Sequence, residues 1–441
     1  MKRTLLLLGL VPLFLDLPFS SFAQGSLTPP GPPAATMKTL DEIDKHITGA
    51  GEKRIDVLTL AGDANSKHVI SVPGSYYLSG NVTGVSGKHG IAFKASNVTL
   101  DLNGFAVNGV TGAMTGILRI AAVENVRIHN GKVSGWPSAG VVVPERSEID
   151  HVIATNNGDG GIIVDEHGQA SWCGAFGNGG RGIQGNRFSL ISHCVSSKNE
   201  VGIIIFDSGQ VQSCVANLNS KAGISFATGC AVIDCDAHEN GSSQLDQGGI
   251  VMINSASGCT IRHCTSGSNT GFGILVHSGT TVADCVTNSN LFDGIKVNAE
   301  DTLVSRCSAD SNTSYGIRVS GSNGTVAHCV ASKNGTGTDG AGIVVNGNCI
   351  VEHNSANKNK GPGIRTLGLG NRIDSNLARE NGSYGIHSSG ANVDFIVRNT
   401  CTNNGGVGSA TASANYNPKS GTYFGVLSAP GASSPSPWAN F

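Results

Sequence analysis

Lys296, Arg318 and Arg365 hold one position of a recurrent string, and His387 holds it once more. The strings are Gly294-Ile295-Lys296-Val297, Gly316-Ile317-Arg318-Val319, Gly363-Ile364-Arg365-Thr366 and Gly385-Ile386-His387-Ser388. In a strand, alternation sends Ile and Val to one face and the residue between them to the other. The same position upstream holds Ser225, Val251 and Leu275, and Val344 falls between the two arginines. His277 lies two residues beyond Leu275, on the same face. Such a row, without interleaved acids, would match carboxylates or sulfates spaced along an extended sugar chain, since arginine can grip each with two parallel hydrogen bonds. The competing expectation is that like charges merely keep an exposed sheet in solution.

Three other groups could do chemistry. Eight successive repeats place a cysteine at one position: Cys173, Cys194, Cys214, Cys235, Cys264, Cys285, Cys307 and Cys329. Their spacing is not the short Cys-x-x-Cys of a zinc site. In-register neighbours would hold their Cβ atoms farther apart than a disulfide prefers, so the expectation is a buried stack of free thiols used as small hydrophobes. Cys230 and Cys259 precede column cysteines by five residues, nearer turns, and are the best placed pair for a disulfide. The residue before the column position is His151, His193, His263, His328 or His353 in five repeats, with Asp234 and Asp284 on either side of His263. Asp234, His263 and Asp284 could hold a divalent cation as an outward ladder; the alternative is a solvated polar column. Finally, Asp165-Glu166-His167 follows the strand Ile162-Ile163-Val164, which makes Asp165 and His167 an acid–base candidate.

These residues are placed by a repeat. An asparagine returns at Asn157, Asn178, Asn199, Asn219, Asn240, Asn269, Asn290, Asn312, Asn334, Asn359, Asn381 and Asn404, mostly at intervals of 20 to 23 residues. Asn354, Asn376 and Asn399 continue the cysteine position. An aliphatic residue stands three places before it, and Gly-Ile opens a short strand after each turn asparagine. About 21 residues hold two or three short strands but not a βαβ unit, which needs about 30. One such coil cannot bury its own apolar face, so it must stack on its neighbours. At about 4.8 Å per coil, 14 or 15 coils predict an all-β, right-handed parallel β-helix roughly 70 Å long. The recurrent asparagine reads as an internal amide ladder. Sequons at Asn240, Asn312, Asn334 and Asn381 use these ladder residues and are a by-product of composition.

The rest of the chain fits that architecture. Gly is abundant at 62 of 441 residues, charged residues make up 14%, and 29 basic side chains face 31 acidic ones. That balance excludes a basic nucleic-acid binder. Met1-Lys2-Arg3, an apolar run from Leu5 to Leu15 and Ser21-Phe22-Ala23 read as a signal peptide over residues 1–23. A secreted, periplasmic or cell-surface protein with no transmembrane segment in the mature chain follows. Residues 24–68 read as linker and N-terminal cap, with Pro-rich 24–36 as a tether and 37–47 as either a short amphipathic helix or more linker. The solenoid is expected over 69–404, and a C-terminal tail or cap over 405–441.

The Gly-Ile-x-Val strand, followed by Val-x-x-(Cys/Asn) and the turn asparagine, resembles the repeat of the pectate-lyase-like superfamily of parallel β-helices. Pro73-Gly74-Ser75-Tyr76-Tyr77-Leu78, Asn97-Val98-Thr99-Leu100-Asp101-Leu102-Asn103-Gly104 and Pro437-Trp438-Ala439-Asn440-Phe441 resemble segments of uncharacterised secreted bacterial members. The resemblance implies fold rather than function, because this fold carries lyases, hydrolases, epimerases, adhesins and inert spikes. Enzymatic members act on acidic polysaccharides through Asp clusters, some with Ca²⁺. The Asn-Thr-Asp, Asp-Asp, Gly-His-Gly and Arg-Ile-Lys signatures of polygalacturonases are absent, and so is a lyase-type Asp cluster. Asp165-Glu166-His167 only loosely resembles the acidic-His motif of alginate epimerases. No cofactor motif is present, and no motif supports Ca²⁺. A non-catalytic extracellular scaffold, adhesin or acidic-polysaccharide binder is therefore expected; the alternative is a lyase or epimerase of uronate polymers.

Overall fold

The computed structural model describes residues 54–241, 247–253, 256–337, 339–389, 393–405, 415–418, 422–425 and 436–440. The expected signal peptide, tether and 37–47 segment lie outside them. Among the described residues forty-six strands form two sheets, one of 30 strands and one of 16, and every strand pairing is parallel. The 16-stranded sheet takes one strand from each coil, giving about fifteen steps from Ser66–Ile70 to Tyr416–Asn417. A typical coil is Thr281–Ala283, Val286–Asn288 and Ile295–Val297. Stacking reaches past 69–404 at both ends: Ile55–Asp56 pairs with Gly74–Tyr77, and Phe395–Val397 pairs with Tyr423–Phe424.

Inside the stack, one hydrophobic cluster runs from Val57 to Tyr416, built of Ile and Val columns with almost no exposed surface. Each coil must also turn three corners without leaving backbone groups unpaired in that interior. Non-glycine residues with positive φ mark these corners, for example Asp284 (57°), Ser289 (52°) and Asp301 (57°). This left-handed conformation strains most side chains, and Asn, Asp and His tolerate it best. An inward ladder residue follows each of them: Cys285, Asn290 and Thr302.

The asparagine ladder is continuous. The backbone N–H of Asn290 donates to Asn312 Oδ1 at 3.1 Å, and its Nδ2 donates to the same oxygen at 2.9 Å and to Ser266 O at 3.1 Å. The pattern repeats from Asn157 to Asn404, which meets Asn415 Oδ1 at 2.9 Å. At the N-terminal end Trp136, fully buried, takes the rung position: its N–H donates to Asn157 Oδ1 at 3.1 Å and its indole Nε1 to Val107 O at 3.0 Å. At the other end Asn440 supplies a rung for the cysteine column, accepting from Asn399 N at 2.9 Å.

The cysteine column does more than fill space. Cys173 N, Cys194 N and Cys307 N each donate to the sulfur of the next coil's cysteine at 3.4 Å. Each thiol has carbonyls of its own and the preceding coil within reach of its one hydrogen, as Cys307 Sγ has Ser305 O at 3.3 Å and Val282 O at 3.6 Å. The thiols occupy the hydrogen-bonding station that the amides of Asn354, Asn376 and Asn399 occupy farther along. All twelve cysteines are free and buried, Cys230 and Cys259 included. Those two lie one coil apart in register, and their sulfurs bond to the Phe206 and Ala227 carbonyls at 3.3 and 3.0 Å rather than to each other. Burial pushes the Cys259 thiol up to about 11 and Cys401 up to about 12.

Candidate functional site

The register of the 16-stranded sheet builds the expected row. Ser225 pairs with Val251, Val251 with Leu275, Leu275 with Lys296, Lys296 with Arg318, Arg318 with Val344, Val344 with Arg365, and Arg365 with His387. The row is not, however, an exposed sheet surface. Val251, Leu275 and Val344 are almost completely buried, and Ser225 nearly so. Val251 and Leu275 join Ala222, Phe272 and half-buried Phe292 in a second, small apolar cluster outside the main core. The cations begin where that cluster ends.

Lys296 is half-buried and donates to Ser320 Oγ of the next coil at 3.0 Å. Burial holds its ammonium below the usual range, neighbouring Arg318 pushes the same way, and Asp293 opposes both. Asp293 is buried and accepts from Tyr315 N at 3.1 Å. The Arg318 guanidinium lies over the Tyr315 ring, 5.2 Å from its centre, and its Nε is buried without a hydrogen-bond partner. Arg365 donates from Nε to Ser389 Oγ at 3.4 Å and pairs through Nη1 with Asp339 at 3.2 Å. The Tyr384 and His387 rings meet at 4.9 Å.

No acid is interleaved in the row itself, but two stand beside it: Asp293, which acts on Lys296, and Asp339, which pairs with Arg365. Asp339 comes from a loop in the coil between Asn334 and Asn359, whose sequence interval is 25 against 22 from Asn312 to Asn334. That longer interval was visible in the sequence, but which side chain it would carry to the row was not. Tyr315 and Tyr384 were equally visible, each immediately before Gly-Ile.

The other candidates separate. Asp234, His263 and Asp284 do come together: His263 Nδ1 lies 3.4 Å from Asp234, and Nε2 lies 3.8 Å from Asp284. Arg306 already grips both Asp284 oxygens, at 2.6 and 2.8 Å. Among the described residues no group of three or more His, Cys, Asp or Glu could hold a metal ion. The column's composition has a backbone cause, since all three residues sit at left-handed corners with φ of 52° to 57°. Asp165 pairs with Arg119 at 2.5 Å and accepts from Asn186 Nδ2 at 2.8 Å, whereas His167 stacks on Phe188 at 5.0 Å. The carboxylate and the imidazole thus have separate partners. His277 lies just past the buried cluster, two residues after Leu275.

The fold is a right-handed parallel β-helix. Residues 243–373 and 277–422 match the family described as right handed beta helix region. No curated protein matches the chain. Among solved structures, the chain is similar to the A-module of the mannuronan C-5 epimerase AlgE4 of Azotobacter vinelandii, at 13% identity over 64% of this chain and 84% of that one, with a TM-score of 0.40. It is similar to the periplasmic alginate epimerase AlgG at 12% identity, over 76% and 75% of the two chains, with a TM-score of 0.36. Pectate lyase Pel9A matches at 14% identity over 64% and 80%, with a TM-score of 0.32. At these identities no substrate or residue role transfers.

Proposed function

We propose that this chain is an extracellular binder of acidic polysaccharide, and that Lys296, Arg318, Arg365 and His387 hold the ligand along the 16-stranded sheet. One observation carries the reading: register places three half-buried cations in one row, two of them beside each other, with Tyr315 and Tyr384 alongside. A half-buried guanidinium whose Nε lacks a partner is a costly thing to keep. An anionic group from outside would satisfy it with a charge-assisted bond. The aromatic rings offer apolar faces to sugar C–H groups. The signal-peptide pattern of residues 1–23 supports an extracellular location, where such polymers are met. No helix among the described residues is long and apolar enough to cross a membrane.

The test is binding of polyuronates and sulfated glycans at low and moderate salt. The triple variant Lys296→Ser, Arg318→Ser, Arg365→Ser should lose salt-sensitive binding and keep its melting temperature nearly unchanged. Wild type that binds no acidic glycan even at low salt, or a triple variant that binds as well as wild type, would overturn the reading.

A second reading, lyase or epimerase chemistry on uronates, is favoured by Lys296 itself. An ammonium destabilised by burial and by Arg318 is closer to acting as a base than an ordinary lysine. Ultraviolet-absorbing unsaturated products, or inversion at C5 seen by NMR, would support it. Their absence from a polymer that demonstrably binds would leave the binder.

A further inference from the structure

The two arginines of the row differ in one respect. Arg318 has an open seat: its Nε is buried without a partner, and no carboxylate pairs with it among the described residues. Arg365 has a filled seat, and what fills it is the carboxylate of Asp339. The two are two coils apart, separated by buried Val344, which is about 9.6 Å at the usual strand spacing.

Asp339 is poorly anchored for a structural ion pair. Its side chain is 86% exposed, against 24% for Arg365. It rides on a loop with Gly335, Gly337 and Gly340, where Gly335 has φ of 88° and Gly340 N donates to Gly337 O at 3.0 Å. The loop is tied down by Gly335 N to Asn312 O at 2.8 Å and by Gly361 N to Gly340 O at 2.8 Å. These bonds hold its two ends and leave Asp339 between them. The extra residues that form the loop are not needed by the stack, whose ladder bond from Asn334 to Asn359 keeps its usual 3.0 Å length.

We propose that Asp339 is a built-in competitor: its carboxylate stands in at Arg365 for an acidic group of the ligand and is displaced when the ligand binds. This rests on the reading that the row binds an acidic polymer, and it adds how that binding is set. An exposed pair of this kind is weak in water, so a polymer already held at Arg318 can displace it. Two acidic groups reaching both arginines would be rewarded, whereas a single small anion would take the open seat and leave Asp339 in place. The Asp339 loop would thus discriminate for extended polymers over monomers.

The experiment uses the full chain with polygalacturonate, polymannuronate, chondroitin sulfate and neutral dextran, measured at low salt by calorimetry. Asp339→Asn keeps size and removes charge. It should bind the acidic polymers about two- to fivefold more tightly than wild type, the range expected for removing one exposed ion pair. It should bind dextran no better and melt at the same temperature. Combining Asp339→Asn with Arg365→Ser should erase the gain relative to Arg365→Ser alone. If wild type binds an acidic polymer and Asp339→Asn binds it no more tightly, this proposal falls and the binding reading stands. An equal gain on dextran would also overturn it, since loop opening rather than charge would be responsible. If neither protein binds any acidic polymer, both fall together.

Discussion

The backbone N–H of Cys329 donates to Oδ1 of Asn354 at 2.8 Å, the bond that Cys307 N makes to the sulfur of Cys329 at 3.4 Å one coil earlier. A thiol column and an amide column are one ladder with two kinds of rung. Sulfur is the weaker acceptor, so the rungs should not be equal. Asn354→Ala strips a strong acceptor from Cys329 N and a donor from Val326 O, and should cost about 1–3 kcal/mol. Cys329→Ala removes a weaker acceptor and a small buried volume and should cost less. Denaturant unfolding of the two variants checks the order; a loss for Cys329→Ala as large as that for Asn354→Ala would make the thiol the equal of the amide as a rung.

Position along the ladder should matter as much as chemistry. Both are bonded on both sides, but Asn290 has further ladder asparagines in either direction, whereas Asn404 accepts from Asn381 and meets Asn415 as the last rung described. Terminal coils can fray and re-solvate an orphaned amide. Asn290→Ala is therefore expected to lower the melting temperature more than Asn404→Ala, as scanning calorimetry would show.

Thiols buried in the interior of the stack are inaccessible to a reagent in solution. A maleimide should label few of the twelve cysteines in the native protein and nearly all after denaturation without reductant. Loss of free thiol in the denatured sample would mean that pairs such as Cys230 and Cys259 had joined.

Asp374 carries the clearest pH signature. Burial alone would raise its pKa, but Arg398 and Arg372, with Ser375, hold it down at about 2. A carboxyl lower in the folded state than its unfolded value of 3.8 stabilises the fold above that value, and the contribution fades as pH falls toward 2. Both arginines are partly solvated, which limits the effect to about 1–2 kcal/mol. Asp374→Asn should melt lower at neutral pH and show a flatter decline between about pH 5 and pH 2, measured by circular dichroism.

Register was legible in the sequence because a period of one coil leaves no freedom: once Ile295 and Ile317 are aligned, Lys296 must sit beside Arg318. The amide ladder was legible for the same reason. What surrounds each column was not. Leu275 is buried because Phe272 and Phe292 fold over it, and nothing in a Gly-Ile-Leu-Val string foretells that. Asp339 reaches Arg365 through loop geometry rather than repeat position. The corner histidines invited a metal-site reading, because the backbone's demand for a left-handed residue leaves the same signature as a demand for ligands. Trp136 as the first rung was hidden by chemistry: an indole where every later coil has an amide.

Because each rung bonds only to the coil before and the coil after, the solenoid has no long-distance bookkeeping between its ends. Asn199 and Asn219 are 20 residues apart and hold the same station. Excising Glu200–Asn219 would bring Asn199 onto Asn240 with every column still aligned. The chain would then be one thickness shorter, with its cationic row untouched. A protein built in this way can change length by whole turns, through duplication or loss of a short genetic segment, without reinventing its interior.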